Sequence, residues 1–229
     1  MEPWVIILPA AGSGVRFGGD VPKQYRHVHG ISLMSYSVRT ALSMPEVGYV
    51  IIAINPEHRA MCDHALSSQN VQSDRVLIVD GGSERQHSIH AALQHPVISD
   101  TTLVFVHDAV RPFATFDLYR RVGLAALQHG AAIPGLPVRD TIKSVFDGGV
   151  VEATLTRSSL RAVQTPQCFR ASVLRQAYAQ AAELGLAATD DASLVEALGI
   201  PVLCVEGDER NIKVTTPLDM LIAEAFLAV

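Results

Sequence analysis

Short, mostly apolar runs alternate along the chain with stretches in which apolar residues recur every three or four positions. The runs Trp4 to Leu8, Tyr49 to Ile54, Val76 to Val79, Leu103 to His107, Ala131 to Leu136 and Val202 to Val205 are too short for helices. They predict strands buried on both faces, as in parallel sheets. Between them, Met34, Val38, Ala41 and Leu42 mark one helical face, and Val173, Leu174, Ala177, Tyr178 and Ala181 mark another. The pattern predicts an α/β fold, a Rossmann-like, mostly parallel twisted sheet with helices on both faces.

End signals refine this picture. Ser83 with Gln86 three residues on has the form of a capping box, predicting a side-chain cap on a helix that runs to about Leu93. Thr216 before Pro217 predicts the start of a final helix. One segment breaks the alternation: Ile142 to Leu155 holds Asp147-Gly148-Gly149 between β-branched and apolar residues, which predicts a hairpin leaving the main sheet. An isolated hairpin is marginal in water, so something should cover it. Without repeats or linker-like tracts, a single domain over 1–229 is expected, with an arm at 139–158.

Composition narrows the partners. With 18 basic and 23 acidic residues among 229, the net charge of −5 supplies no positive field for nucleic acid or an anionic membrane. Only three of the 18 basic residues are lysines, Lys23, Lys143 and Lys213. Cys62, Cys168 and Cys204 are an odd number at wide spacing, which predicts neither a disulfide framework nor a cysteine zinc site. The run Val5 to Leu8 is too brief for a signal-peptide core, and no run approaches the roughly 18 apolar residues of a membrane span. A cytoplasmic protein is expected.

The chemistry is concentrated in the loop after the first strand. In Pro9-Ala10-Ala11-Gly12-Ser13-Gly14-Val15-Arg16-Phe17-Gly18 the small Ala10, Ala11, Gly12 and Gly14 let the backbone approach a ligand, with amides able to face phosphate oxygens. A P-loop requires a Gly-Lys pair, and the chain has none. A dinucleotide fingerprint usually places a carboxylate at the end of the second strand, where this chain has Ile54-Asn55-Pro56. That reading also leaves Arg16 and Lys23 unexplained. Arg16 paired with Asp20, and Lys23 as a solvated loop residue, are the plainer alternatives.

Pro9-Ala10-Ala11-Gly12-x-Gly14-x-Arg16-x-Gly18 with Pro22-Lys23-Gln24 resembles the signature of the 2-C-methyl-D-erythritol 4-phosphate cytidylyltransferases. The likeness continues through Asp80-Gly81-Gly82 with Arg85 and Ser88, His107-Asp108-Ala109-Val110-Arg111-Pro112 and Pro137-Val138-Arg139-Asp140-Thr141. Thr165-Pro166-Gln167, Thr189-Asp190-Asp191-Ala192-Ser193 and Asn211-Ile212-Lys213-Val214-Thr215 complete it in the family's order.

The resemblance implies attack by the phosphate of methylerythritol phosphate on the α-phosphorus of CTP, with Mg²⁺ or another divalent cation. It places Arg16 and Lys23 on the triphosphate and the backbone of Ala10, Ala11 and Gly12, with Gly82, Ser83 and Ser88, on the cytidine. It places Asp108 on the metal and beside the substrate, with Arg111, Thr141, Thr165, Arg157 and Lys213 on the second substrate; Arg16, Lys23, Arg157 and Lys213 form its catalytic set. It also implies a homodimer in which the arm carries Thr141 and Arg157 into the neighbour's site. On sequence, an Asp108 paired with Arg111 and an arm folded onto its own domain remain open. So do a ribitol 5-phosphate cytidylyltransferase, a hexose-phosphate nucleotidyltransferase, a dehydrogenase and a non-catalytic nucleotide-binding protein.

Overall fold

The computed structural model describes residues 3–12 and 21–227. In chain order its strands are β1 (Trp4–Ala10), β2 (His27–Val28), β3 (Ile31–Ser32), β4 (Val47–Ile54), β5 (Val76–Asp80), β6 (Leu103–Val106), β7 (Ala131–Pro137), β8 (Lys143–Val145), β9 (Val151–Thr154), β10 (Arg161–Val163), β11 (Gln167–Arg170) and β12 (Leu203–Glu206). The helices are α1 (Leu33–Ser43), α2 (Arg59–Ser67), α3 (Arg85–Leu93), α4 (Phe116–His129), α5 (Ala171–Leu184), α6 (Asp191–Ala197) and α7 (Pro217–Leu227). Each of the six apolar runs forms a strand, and these six share one direction in an eight-stranded sheet ordered β10-β7-β11-β6-β1-β4-β5, with β12 beside β7. The antiparallel members, β10 and β11, correspond to none of those runs.

Alternation along β1 explains the two layers. Trp4, Ile6 and Leu8 enter a core with Met34 and Val38 of α1, Ala65 of α2, and Leu118 and Val122 of α4. Val5 and Ile7 point the other way, onto Ile89 of α3, Leu174 and Tyr178 of α5, and Val195 of α6. Successive side chains of a strand face opposite sides, so a strand covered by helices twice must be apolar throughout. Local chemistry bounds the helices: Ser32 caps α1 through the Ser35 amide, and Thr115 caps α4 through that of Leu118. The last turn of α4 closes on Gly130 at φ 88°, a left-handed position that favours glycine. Thr216 caps α7 as its sequence predicts, its hydroxyl accepting from the Asp219 amide at 3.3 Å.

The predicted capping box at Ser83 does not form. The N-cap of α3 is Glu84, which makes no side-chain cap bond, and the Ser83 hydroxyl instead meets His87 Nδ1 at 3.2 Å. The helix begins one residue later than the motif assumed, so Ser83 stands outside the reach of the exposed amides.

Two departures from the regular sheet position residues named above. Between the pairs Val163↔Gly135 and Cys168↔Ala132 the chain advances five residues while β7 advances three. Gln164 still donates its amide to the Pro134 carbonyl of β7 at 2.8 Å, but the surplus of two, Thr165-Pro166, leaves the ladder, and the Thr165 hydroxyl accepts from the Asp108 amide at 3.0 Å, just past β6. The second departure is the β8–β9 hairpin, a sheet of its own, with Gly148 and Gly149 at positive φ in its turn. Val145, Phe146, Val150 and Val151 on it are each more than half exposed.

Candidate active site

The carboxyl ends of β1, β5 and β6 surround a cleft of about 230 Å³. Open parallel sheets bind ligands at this end, beyond the last residues of their strands. The β1 loop enters through Ala10, Ala11 and Gly12, and its shape is held by Gln24, whose buried amide donates to the carbonyls of Ala10 at 2.7 Å and Gly12 at 3.0 Å. Opposite it, Gly81 follows β5 and donates its amide to the Ile54 carbonyl at 2.7 Å. A Cβ on Gly81 would stand 2.7 Å from Ala11 Cβ and 2.8 Å from Ser88 Oγ, so only glycine lets these two segments lie together. Ser88, 1% exposed, accepts from the Gly82 amide at 3.2 Å and donates to the Glu84 carbonyl at 3.1 Å. Lys23, Gly82 and Ser83 complete this wall. Arg16 lies outside the described residues.

A second cleft, of about 380 Å³, adjoins the first, and the two share Arg85, Asp108 and Lys213. Asp108, 7% exposed, is the centre of a charge cluster. Lys213 Nζ is 2.9 Å and Arg111 Nε 3.4 Å from its Oδ2, and Arg85 Nε is 3.7 Å from its Oδ1. Burial alone would raise this carboxyl, but Lys213, Arg85 and Arg111 outweigh it and hold Asp108 well below the usual carboxylate range. Three cations around one carboxylate leave positive charge for an anionic ligand. Arg111 is fixed further by donating to the Asn211 carbonyl at 2.8 Å.

Beneath the cluster His107 is fully buried, and burial lowers its pKa to about 4. The neutral ring has one donor, which Nε2 gives to the Arg111 carbonyl at 3.1 Å. Nδ1 then accepts from the Thr165 hydroxyl at 3.2 Å, while Thr165 Oγ1 accepts from the Asp108 amide. Both ring nitrogens are spent on holding Asp108 and Arg111 in place, so His107 is a structural support.

Of the residues the sequence singles out, Ala10, Ala11, Gly12, Lys23, Gly82, Ser83, Ser88, Asp108 and Lys213 line the first cleft; Arg111 and Thr165, with Asp108 and Lys213, line the second. Thr141 and Arg157 line neither; Arg157 donates to the Arg139 carbonyl at 2.6 Å, at the root of the arm. No group of three or more His, Cys, Asp or Glu able to hold a metal occurs among the described residues. What the site offers a divalent cation is the hard oxygen pair of Asp108.

The model of the family described as IspD, 2-C-methyl-D-erythritol 4-phosphate cytidylyltransferase, matches residues 4–229. The chain belongs to this cytidylyltransferase family. The family's enzyme from Geobacillus thermodenitrificans is 42% identical over 222 residues, covering 97% of this chain and 96% of that protein. That from Bacillus mycoides is 42% identical over 226 residues, covering 99% and 98%. The solved cytidylyltransferase of Thermus thermophilus superposes with a TM-score of 0.81 at 36% identity, covering each chain completely. Against this cytidylyltransferase background, Gln24, Arg85 and Asp191 are the residues to which sequence reasoning gave no role. All three lie in the quoted motifs, but their partners are 12 to 106 residues away and invisible without the fold.

Proposed function

We infer that the chain transfers the cytidylyl group of CTP to 2-C-methyl-D-erythritol 4-phosphate in the non-mevalonate route to isoprenoids. A phosphate oxygen of the acceptor forms the new bond to the α-phosphorus, the bond from that phosphorus to the bridging oxygen breaks, and pyrophosphate leaves with the electron pair. The observation that carries this reading is the Asp108 cluster at the junction of two clefts, in a chain that matches the family from end to end. A phosphate monoester has its second pKa near about 6, so the nucleophile is already largely ionised at neutral pH. No side-chain base is needed, consistent with a neutral His107 whose nitrogens are both engaged.

The protein's task is to bring two polyanions together and stabilise the charge at the transferring phosphorus. In the first cleft the backbone of Ala10, Ala11 and Gly12 with Gly82, Ser83 and Ser88 holds the cytidine, and Lys23 and Arg16 hold the triphosphate. In the second, Arg111, Thr165 and Lys213 hold the acceptor, and Asp108 fixes the last two. Asp108 also carries the magnesium ion, which neutralises phosphate charge when bound. The exposed apolar arm, residues 139–158, docks on a second copy and brings Thr141 and Arg157 to that copy's site; the half-exposed Val145, Phe146, Val150 and Val151 support this. We assign the whole chain to one nucleotidyltransferase domain. Among the described residues no helix is long and apolar enough to cross a membrane, and three free cysteines support a reducing cytoplasm.

The test is pyrophosphate release with each of the four nucleoside triphosphates against methylerythritol phosphate and ribitol phosphate. Release with CTP and methylerythritol phosphate alone is expected, and chelation of divalent cations abolishes it. Release with ribitol phosphate instead overturns the acceptor, and no release with any pair overturns the enzyme reading.

A further inference from the structure

Arg85 lines both clefts, and its guanidinium is divided between two carboxylates. Its Nε is the most distant of the three cationic nitrogens around Asp108, at 3.7 Å, whereas a terminal nitrogen lies 2.7 Å from Asp191 Oδ2. Asp191 is fully buried, and its other oxygen accepts from the Tyr178 hydroxyl at 2.6 Å. Tyr178 is 2% exposed on α5, its ring stacked on that of His90 at 6.0 Å. Burial and the neighbouring carboxylate push its hydroxyl far above its ordinary range, so it remains a donor.

The anchor is fixed independently of the arginine. Asp190 caps α6 through the Ser193 amide and accepts from the Gln167 side-chain Nε2 at 2.8 Å, while Oε1 of the same side chain accepts from the Ala192 amide at 3.2 Å. These bonds tie the start of α6 to β11 and leave Asp191 little freedom to follow Arg85. Burying a carboxylate is costly, and the cost is offset only while its partners stay in place. The arginine side chain keeps 31% of its surface exposed, on the side of the clefts it lines.

We propose that Arg85 is a catalytic cation for this reaction, binding the oxygens of the transferring phosphoryl group as the acceptor attacks, and that Asp191 and Tyr178 are the positioning residues that hold it there. The proposal rests on the function inferred above, because the residues common to both clefts stand where the two substrates meet. A planar guanidinium can bridge oxygens of two phosphates at once, which an ammonium cannot do with the same geometry. Its main anchor lies outside the Asp108 cluster, so Arg85 keeps its place when Asp108 exchanges partners. Contact made chiefly in the transition state raises kcat without tightening CTP in the ground state.

The experiment compares Arg85→Lys, Asp191→Asn and Tyr178→Phe with the wild type, measuring kcat, equilibrium CTP binding without acceptor, and melting temperature. Arg85→Lys should lose on the order of 10²-fold in kcat, and Tyr178→Phe about 3- to 10-fold, with CTP affinity unchanged within about twofold. In Arg85→Ala, guanidinium ion well below denaturing concentration should restore part of the turnover while Asp191 is present, and none in the Arg85→Ala/Asp191→Asn double variant. Turnover unaffected by all three substitutions, or lost only in step with melting temperature or CTP affinity, overturns the proposal. Should Asp191→Asn fail to fold, Tyr178→Phe and Arg85→Lys decide alone. A wild type without activity overturns the function itself, whereas an active wild type with unaffected variants overturns only the role of Arg85.

Discussion

The Asp108 cluster and the hairpin arm both hold residues assigned to the same reaction, yet they are built in opposite ways. At the cluster each charged group is held by other buried groups of its own chain: Asp108 by Thr165, Arg111 by Asn211, Arg85 by Asp191. On the arm Arg157 reaches the nearby Arg139 carbonyl, Lys143 Nζ bonds Thr154 Oγ1 across the hairpin at 2.6 Å, and the apolar side chains face outward. Preorganisation at the cluster is supplied by the fold. On the arm the proposed function assigns it to a second molecule, and each half of the comparison can be tested separately.

Lys213→Ala should show the largest effect. It removes the cation closest to Asp108, at 2.9 Å, and turnover should fall on the order of 10²- to 10³-fold while the melting temperature changes little. A large drop in melting temperature would mean that the cluster serves the fold rather than the chemistry. Next comes pH. His107 is buried neutral with a pKa of about 4, whereas in the unfolded chain it titrates near its ordinary 6.5. Between those values the unfolded state binds a proton that the folded state refuses, so stability declines as pH falls from 6.5 to 4, by on the order of 3 kcal/mol. Urea unfolding across that range should show the decline in the wild type and its absence in His107→Gln. Asp108, held low by its cations, keeps its contribution above about pH 4 and loses it only below, so the two windows stay separate.

Shortening the arm by removing Asp147 to Val150 should leave the rest of the fold intact, abolish the proposed dimer in sedimentation, and reduce turnover by about tenfold or more through misplacement of Thr141 and Arg157. An active dimer after that deletion breaks the comparison. The smallest effect belongs to Arg139→Ala. It removes an exposed ion pair with Glu209 at the root of the arm, and chemical unfolding should register about 0 to 1 kcal/mol.

β1, β4, β6 and β7 were legible because burial on both faces demands uninterrupted apolar residues, a pattern that few surface segments imitate; β5 and β12 carry the same apolar runs although β5 is half-buried and β12 mostly exposed. β10 and β11 escaped because Arg161-Ala162-Val163 and Gln167 to Arg170 are short and carry exposed arginines at their ends. Their strand state comes from pairing with β6 and β7 rather than from their own composition. The site was legible as a set of motifs and illegible as a network. The hydroxyl of Thr165 serves the Asp108 amide and His107, and Asp191 serves Arg85, through contacts that only the folded sheet brings together. The lysine count was informative in part: Lys23 and Lys213 line the first cleft, whereas Lys143 bonds across the hairpin.

The break between β10 and β11 gives a rule for where this chain can change length. One end of that interrupted strand, Arg161 to Val163, receives the returning arm, and the other, Gln167 to Arg170, lies between β6 and β7. Three residues in between present Thr165 to the amide that sets Asp108. A single insertion or deletion there would turn alternate side chains to the wrong face and displace Thr165 in the same stroke. An insertion at the Asp147-Gly148-Gly149 turn disturbs neither. The base of the arm is therefore closed to changes of length, whereas the tip is constrained only by the docking proposed for it.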